Sequence, residues 1–316
     1  MNEENRILGK QEEGKSIDRL LKQAGKDKLI DAVVKGKTEQ YQPKHDLPDF
    51  FNMFKPDGRA KDFITAVEKY GKFDEDTGML KYDDDICSNS SAALALVYLI
   101  IGEKELGSKL IQRIEEHIGF DEKTGLVNHH NQDNDRIYTE DSALLALAYH
   151  ACGMEEKALA LIEKIEDKMH FKYFGDGGML VEAEFNEDII SYLTEDSALL
   201  SLACFACEKG ADALKLIKGI ENHIGFHDDT ELVKDQFVGS HQDSFAADNI
   251  ALALAYFAAG REYDGWRLIE IVEEQIKFDE RTGLVKTSLF LEDPEPHDSL
   301  MLTLAYMALD AWEDKK

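Results

Sequence analysis

Residues 138–149 read YTEDSALLALAY, and closely related text returns as YLTEDSALLSLAC from Tyr192, AADNIALALAY from Ala246 and HDSLMLTLAY from His297. An earlier copy, SNSSAALALVY, begins at Ser88. The equivalent residues Ser90, Asp141, Asp196, Asp248 and Asp298 are 51, 55, 52 and 50 residues apart. A second marker runs out of phase with the first: FDEDTGML from Phe73, FDEKTGLV from Phe120, an irregular YFGDGGML from Tyr173, FHDDTELV from Phe226 and FDERTGLV from Phe278. Its spacings are 47, 53, 53 and 52 residues. Two independent markers with one period of about 52 residues define a unit repeated five times, whose copies must stack to bury their apolar faces.

Each unit reads as a helix, a turn, a short extended piece, a loop and a second helix. In EKALALIEKIEDKMHF the residues Ala158, Leu161, Ile162, Ile165 and Met169 fall at helical spacing, with Glu163, Lys164, Glu166 and Asp167 opposite them, so this first helix is amphipathic. The Asp and Gly of the DExTG turn stop it, through an Asp-to-backbone bond and a glycine with positive φ. His117, His170 and His223 end these helices, where a cationic ring favours the helix dipole. The second helix (SALLALAY, IALALAYFAA, LMLTLAYMAL) is apolar on every face, as only a wholly buried helix is. The expected fold is all-α: an α/α toroid of five to six helical hairpins, with an inner ring of buried helices inside an outer ring of amphipathic ones.

A single domain over residues 1–316 is expected, with five repeats of about 52 residues over 60–311. Residues 1–59 are read as a helical segment and a proline-containing strap (YQPKHDLPDFFNMFKPDG) that close the ring. The 43% hydrophobic content suffices for a large core. A formal charge of −28 excludes nucleic acid and anionic membranes as partners. The longest apolar runs, such as AALALVYLII, are too short to span a bilayer. The charged N-terminus holds no signal-peptide core, and four cysteines in a chain this long make no disulfide framework. A cytoplasmic location is expected. Cys204 and Cys207 lie inside an apolar helical run and read as buried small hydrophobes.

A FDxxTGL turn after an outer helix, followed by a loop into TEDSALLALA, resembles the α/α-toroid enzymes of the six-hairpin glycosidase type over roughly residues 60–311. The resemblance implies an active site where the loops before the inner helices converge, and activity on sugars as a hydrolase, polysaccharide lyase or epimerase. Terpene cyclases and prenyltransferases share the architecture, but their Gly-Gly-Phe and Gln-Trp signatures are missing and YDDDICS is no clean diphosphate-metal motif.

The Asp column has two readings. Thr139 and Thr194 suit N-cap positions, and Asp141 and Asp196 in the first turn would favour the helix dipole, as a non-catalytic ligand-binding or scaffold toroid requires. Against this, Asp248 is kept where Ala246 replaces the Thr, and the preceding loops (NHHNQDNDRIY, EAEFNEDIISY, KDQFVGSHQDSF, FLEDPEPH) are dense in polar groups. Carboxylates crowded at one mouth raise a pKa and yield the acid and base of glycoside hydrolysis. Asp141, Asp196 and Asp248 are the candidate acid–base groups, with His130 or His241 as alternative proton carriers. Tyr138, Tyr192, His129, Asp243, His297 and Asp298 are candidate substrate contacts. A histidine base with Tyr138 or Tyr192 would instead serve a lyase or epimerase. His129 and His130 with Asp133 and Asp135, joined by His241 or His297, are conceivable ligands, but no tight motif such as HExxH is present. No metal and no cofactor is expected. The expected partner is a sugar or other polar small molecule, and no sequence feature sets an oligomeric state.

Overall fold

The computed structural model describes residues 53–54, 58–82, 85–130, 136–185, 191–237, 244–288 and 294–313. Of residues 1–59, assigned above to closing the ring, 1–52 and 55–57 lie outside them. The first outer helix, α1 (Gly58–Tyr70), leads through strands β1 (Lys81–Tyr82) and β2 (Asp85–Ile86) to the first inner helix, α2 (Ser88–Ile100). The alternation continues with α3 (Lys104–Arg113), which ends in a π-helical turn (Ile114–Ile118), and α4 (Thr139–Ala151). Next come α5 (Glu155–Lys168), strands β3 (Phe171–Tyr173) and β4 (Met179–Val181), and α6 (Thr194–Ala206). The last elements are α7 (Gly210–Gly219) with its π-helical turn (Ile220–Ile224), α8 (Ala246–Ala258), α9 (Glu262–Gln275) and α10 (Pro296–Glu313).

The even-numbered helices pack side by side in chain order, and α10 packs back onto α2, closing an inner ring of five. Each inner helix also packs on the outer helix that follows it, and α10 takes α1 as its outer partner. Arg59 of α1 meets Asp310 of α10 at 3.1 Å and lies over the Tyr306 ring. This is the α/α toroid expected from the repeat. Among the described residues no helix is long and apolar enough to cross a membrane.

The inner helices are apolar all round because every face is covered. Residues 143–148 of α4 are all buried, and each buried leucine contributes about 1.5–3 kcal/mol. Near the far end of these helices, tyrosine hydroxyls donate to glutamates of the preceding outer unit. Tyr98 bonds Glu68 at 2.9 Å, Tyr149 bonds Glu115 at 2.5 Å, Tyr256 bonds Glu221 at 2.8 Å, and Tyr306 bonds Glu273. The third unit has Cys204 in that column, 2% exposed.

The DExTG segment is a capped turn. Asp121 Oδ2 accepts both the Thr124 backbone N–H (2.6 Å) and its hydroxyl (2.8 Å), and Gly125 supplies φ +70°. The fourth copy holds the same conformation with Glu231 at φ +61°. The turn closes a short hairpin, which is longest in the irregular third copy, β3/β4. Each hairpin is fastened to the inner helix after it by the residue one place beyond the Asp column. Ser91 accepts the N–H of Leu80 (3.1 Å), Ser142 that of Val127 (3.1 Å) and Ser197 that of Val181 (3.3 Å). Asn249 accepts that of Val233 (2.8 Å) and Ser299 that of Val285 (3.0 Å). His117 and His223 lie in the π-helical turns, and His170, just beyond α5, contacts Glu182 at 2.9 Å.

Candidate active site

Because inner helices run parallel around the ring, their first turns gather at one end, where the loops preceding them also meet. The helices do not begin as expected. Tyr138 and Leu193, in extended conformation, occupy the N-cap positions without a side-chain cap. Thr139 and Thr194 are already helical, and their hydroxyls donate to the carbonyls of Glu182 and Lys234, each at 2.6 Å. Extended backbone arriving at the helix directs the threonine hydroxyl toward the next unit's hairpin, so the helix's free N–H groups need other acceptors.

The Asp column supplies them from the neighbouring helix. Asp196 Oδ1 accepts the backbone N–H of Glu140 at 2.9 Å, and Asp248 Oδ1 accepts that of Glu195 at 3.0 Å. Asp141 accepts the Ser88 hydroxyl on one oxygen and contacts His129 Nδ1 at 2.8 Å with the other. All four Asp side chains are buried, at 4% exposure or less. Burial is the main force raising the pKa of Asp196, Asp248 and Asp298 well above the carboxylate range. Nearby Glu140 and Glu195 add to it for Asp196, Glu195 and Asp235 for Asp248, while His297 opposes it for Asp298. Each of the three keeps one buried Oδ2 without a hydrogen-bond partner among the described residues.

One place before the Asp column, the chemistry changes from unit to unit: Asn89, Glu140, Glu195, Ala247, His297. Asn89 donates to Glu140 Oε1 at 2.9 Å. His297 Nε2 lies 2.7 Å from Glu195 Oε1. Burial, the charge of Glu195 and that of Asp141 raise the Glu140 pKa to about 8, against the pull of His297 and His129. Burial pulls His297 down, but Glu195 and Glu140 lift its pKa to about 10, so it is an imidazolium at neutral pH. Glu140, with its raised pKa, is thus influenced by Glu195, which contacts His297 at 2.7 Å.

His129, His130, Tyr138 and Asp141 form a second group at the same end. The His129 and His130 rings are 4.0 Å apart, and Tyr138 meets His129 edge-on at 4.7 Å. Burial lowers His129, yet Asp141 lifts its pKa to about 9, while burial and then His129 lower that of His130. Burial, followed by Glu184, raises the Tyr138 hydroxyl. Tyr192 stands in a separate aromatic patch, edge-on to Phe237, with the Lys172 ammonium over both rings. His241 and Asp243, like Asp133 and Asp135, lie outside the described residues.

Glu140 and Glu195 were not singled out from the sequence. The signal was a column of changing chemistry between two nearly constant ones.

No protein-family model matches the chain, and no curated protein matches it in sequence. Solved structures do match. The endo-β-1,4-glucanase CMCax of Acetobacter xylinum aligns with TM-score 0.57 and 12% identity, covering 80% of this chain and 98% of the glucanase. A family 76 α-mannanase of Bacteroides thetaiotaomicron gives 0.54 and 10%, covering 81% and 96%. Cellobiose 2-epimerase of Bacillus thermoamylovorans gives 0.52 and 12%, covering 82% and 87%. At these identities the similarity establishes the α/α-toroid fold.

Proposed function

We propose that the protein is a carbohydrate-active enzyme of glycosidase type, with Glu140 as general acid and Glu195 as its carboxylate partner. These two take the acid–base roles for which the sequence put forward Asp141, Asp196 and Asp248. The observation that carries the reading is two carboxyl groups in unlike surroundings at one end of the ring: Glu140 with a pKa near 8, and Glu195 in contact with His297 at 2.7 Å. Two carboxyl groups driven to opposite protonation states are what glycoside cleavage uses. Glu140 gives its proton to the glycosidic oxygen as the C1–O bond breaks. Glu195 then attacks C1 or takes a proton from the attacking water, as carboxylate separation dictates. Glucanase and mannanase structures of the same architecture support sugar as the substrate class.

A second reading, a sugar epimerase or polysaccharide lyase, draws on the His297–Glu195 contact and on the epimerase of the same architecture. It is weaker, because an imidazolium with a pKa near 10 is an acid, and abstracting a proton next to a carbonyl needs a base. A purely structural toroid fits the bracing by Asp196 and Asp248 but gives no reason for half-buried Glu140 and Glu195. The test is turnover of aryl α- and β-mannosides and glucosides, with mannan and β-glucan oligosaccharides alongside, by the protein and by Glu140→Gln and Glu195→Gln. Activity lost from both folded variants supports the proposal. Glycosidase activity undiminished in either variant, or turnover by epimerisation alone, sinks it.

A further inference from the structure

Cys87 is the residue at which the chain enters the inner ring, and it forms an antiparallel bridge with His130. The Ser88 N–H donates to the His129 carbonyl at 3.1 Å, so the two segments run side by side. Opposed residues of an antiparallel pair put their side chains on one face. His129 joins them through its ring contact with His130. One ligand-competent atom from each of Cys87, His129 and His130 lies within 4.8 Å of those of the other two. In a tetrahedral zinc site, with bonds of about 2.0–2.3 Å, ligand atoms stand about 3.6 Å apart. The ligand atoms therefore need to approach one another by at most about 1.2 Å on binding.

We propose that Cys87, His129 and His130 bind one zinc ion. One thiolate and two imidazoles make a borderline-soft set that suits Zn²⁺ and rejects Mg²⁺ or Ca²⁺. Both rings are already oriented for it. His129 Nδ1 is engaged by Asp141 at 2.8 Å, and His130 Nδ1 faces the Ile86 carbonyl at a long 3.4 Å, so Nε2 of each is left for the metal. A carboxylate or a carbonyl behind the ligating imidazole is the usual support in such sites. Three protein ligands leave a fourth position for water or a substrate oxygen. A carboxylate oxygen of Glu140 lies within 4.8 Å of ligand-competent atoms of His129 and Asp141. Cys87 Sγ now donates to Asn89 Oδ1 at 2.7 Å. Binding displaces that proton and also the Nε2 proton of the protonated His129 ring, two H⁺ released per Zn²⁺ bound to one thiolate and the neutral imidazoles, so affinity rises with pH. The site does not depend on the glycosidase reading. No spacing motif announces it, because the thiol comes from one repeat and the histidines from the next.

The full chain, kept reduced and stripped with a chelator, is titrated with Co²⁺ and then Zn²⁺. The expected result is one equivalent bound, a thiolate-to-cobalt charge-transfer band, and displacement of cobalt by zinc. Cys87→Ser abolishes the band, and Asp141→Asn weakens zinc binding roughly 10–100-fold. A variant with Cys152, Cys204 and Cys207 all changed to Ser keeps Cys87 as its one thiol and retains the band. The absence of a charge-transfer band in the stripped wild-type protein overturns the proposal. So does its loss in the triple variant, or its persistence in Cys87→Ser. The triple variant decides the matter should Cys87→Ser fail to fold.

Discussion

Asp196 of one inner helix caps the N-terminus of the helix before it, through the bond from its Oδ1 to the backbone N–H of Glu140 at 2.9 Å. The bracing carboxyl thus holds in place the backbone of the residue proposed as acid. Burial raises the pKa of Asp196 well above the usual carboxylate range, and an amide of the same shape accepts the same bond. Asp196→Asn therefore keeps wild-type stability at pH 7. Asp196→Ala leaves a buried N–H unpaired and costs about 1–3 kcal/mol. Urea unfolding of the two variants separates these outcomes.

The pH dependence of stability has a definite sign. Glu140 is raised from 4.5 to about 8 and His297 from 6.5 to about 10. A group with a raised folded-state pKa contributes stability that is complete below its unfolded pKa and lost as pH climbs through the folded one. Metal-stripped protein therefore loses stability steadily as pH rises from about 5 to 10. Glu140→Gln removes the part of that slope lying between 4.5 and 8. Melting curves at half-unit pH steps test this, and a slope unchanged in the variant would contradict it.

Turnover should follow the same proton. With Glu140 as general acid, kcat/KM falls above about pH 8, as its proton is lost. Glu140→Gln slows substrates with poor leaving groups by roughly 10²–10⁴-fold and affects aryl glycosides with acidic phenols far less. A pH–rate profile on both substrate types checks the assignment.

Glu231 holds a left-handed conformation, φ +61°, at the turn position where Gly78, Gly125 and Gly283 stand in other copies. A side chain there costs about 1–2 kcal/mol, partly offset by the greater unfolded-state entropy of glycine. Glu231→Gly stabilises the protein by about 0.5–1 kcal/mol, read as a higher Tm.

The ring was legible in the sequence because it is written there repeatedly. Apolar spacing separates amphipathic α5 from uniformly apolar α4, and the DExTG turn marks each boundary. The Asp column was legible too, but its partners were not. Asp196 and the N–H it accepts belong to different repeats, and periodicity within one repeat cannot show which neighbour a side chain faces. The same limit applied to Glu140 and Glu195. Each sits inside a TED motif whose outer letters have evident structural work, so the middle letter passed as filler. Their meaning emerges only when five first turns are brought to one mouth, where Asn89 and His297 become their partners. The Cys87 donor set is hidden for a similar reason, since a cross-repeat bridge creates it.

An open stack of hairpins frays from its end units, which have a neighbour on one side only. Here α10 lies against both α1 and α2, so every inner helix is flanked on both sides and none is an end. Such a molecule comes apart as one event rather than peeling unit by unit, and amide exchange across the five inner helices should share one opening free energy. Glu140, Glu195 and His297, drawn from three different hairpins, are then assembled together or not at all.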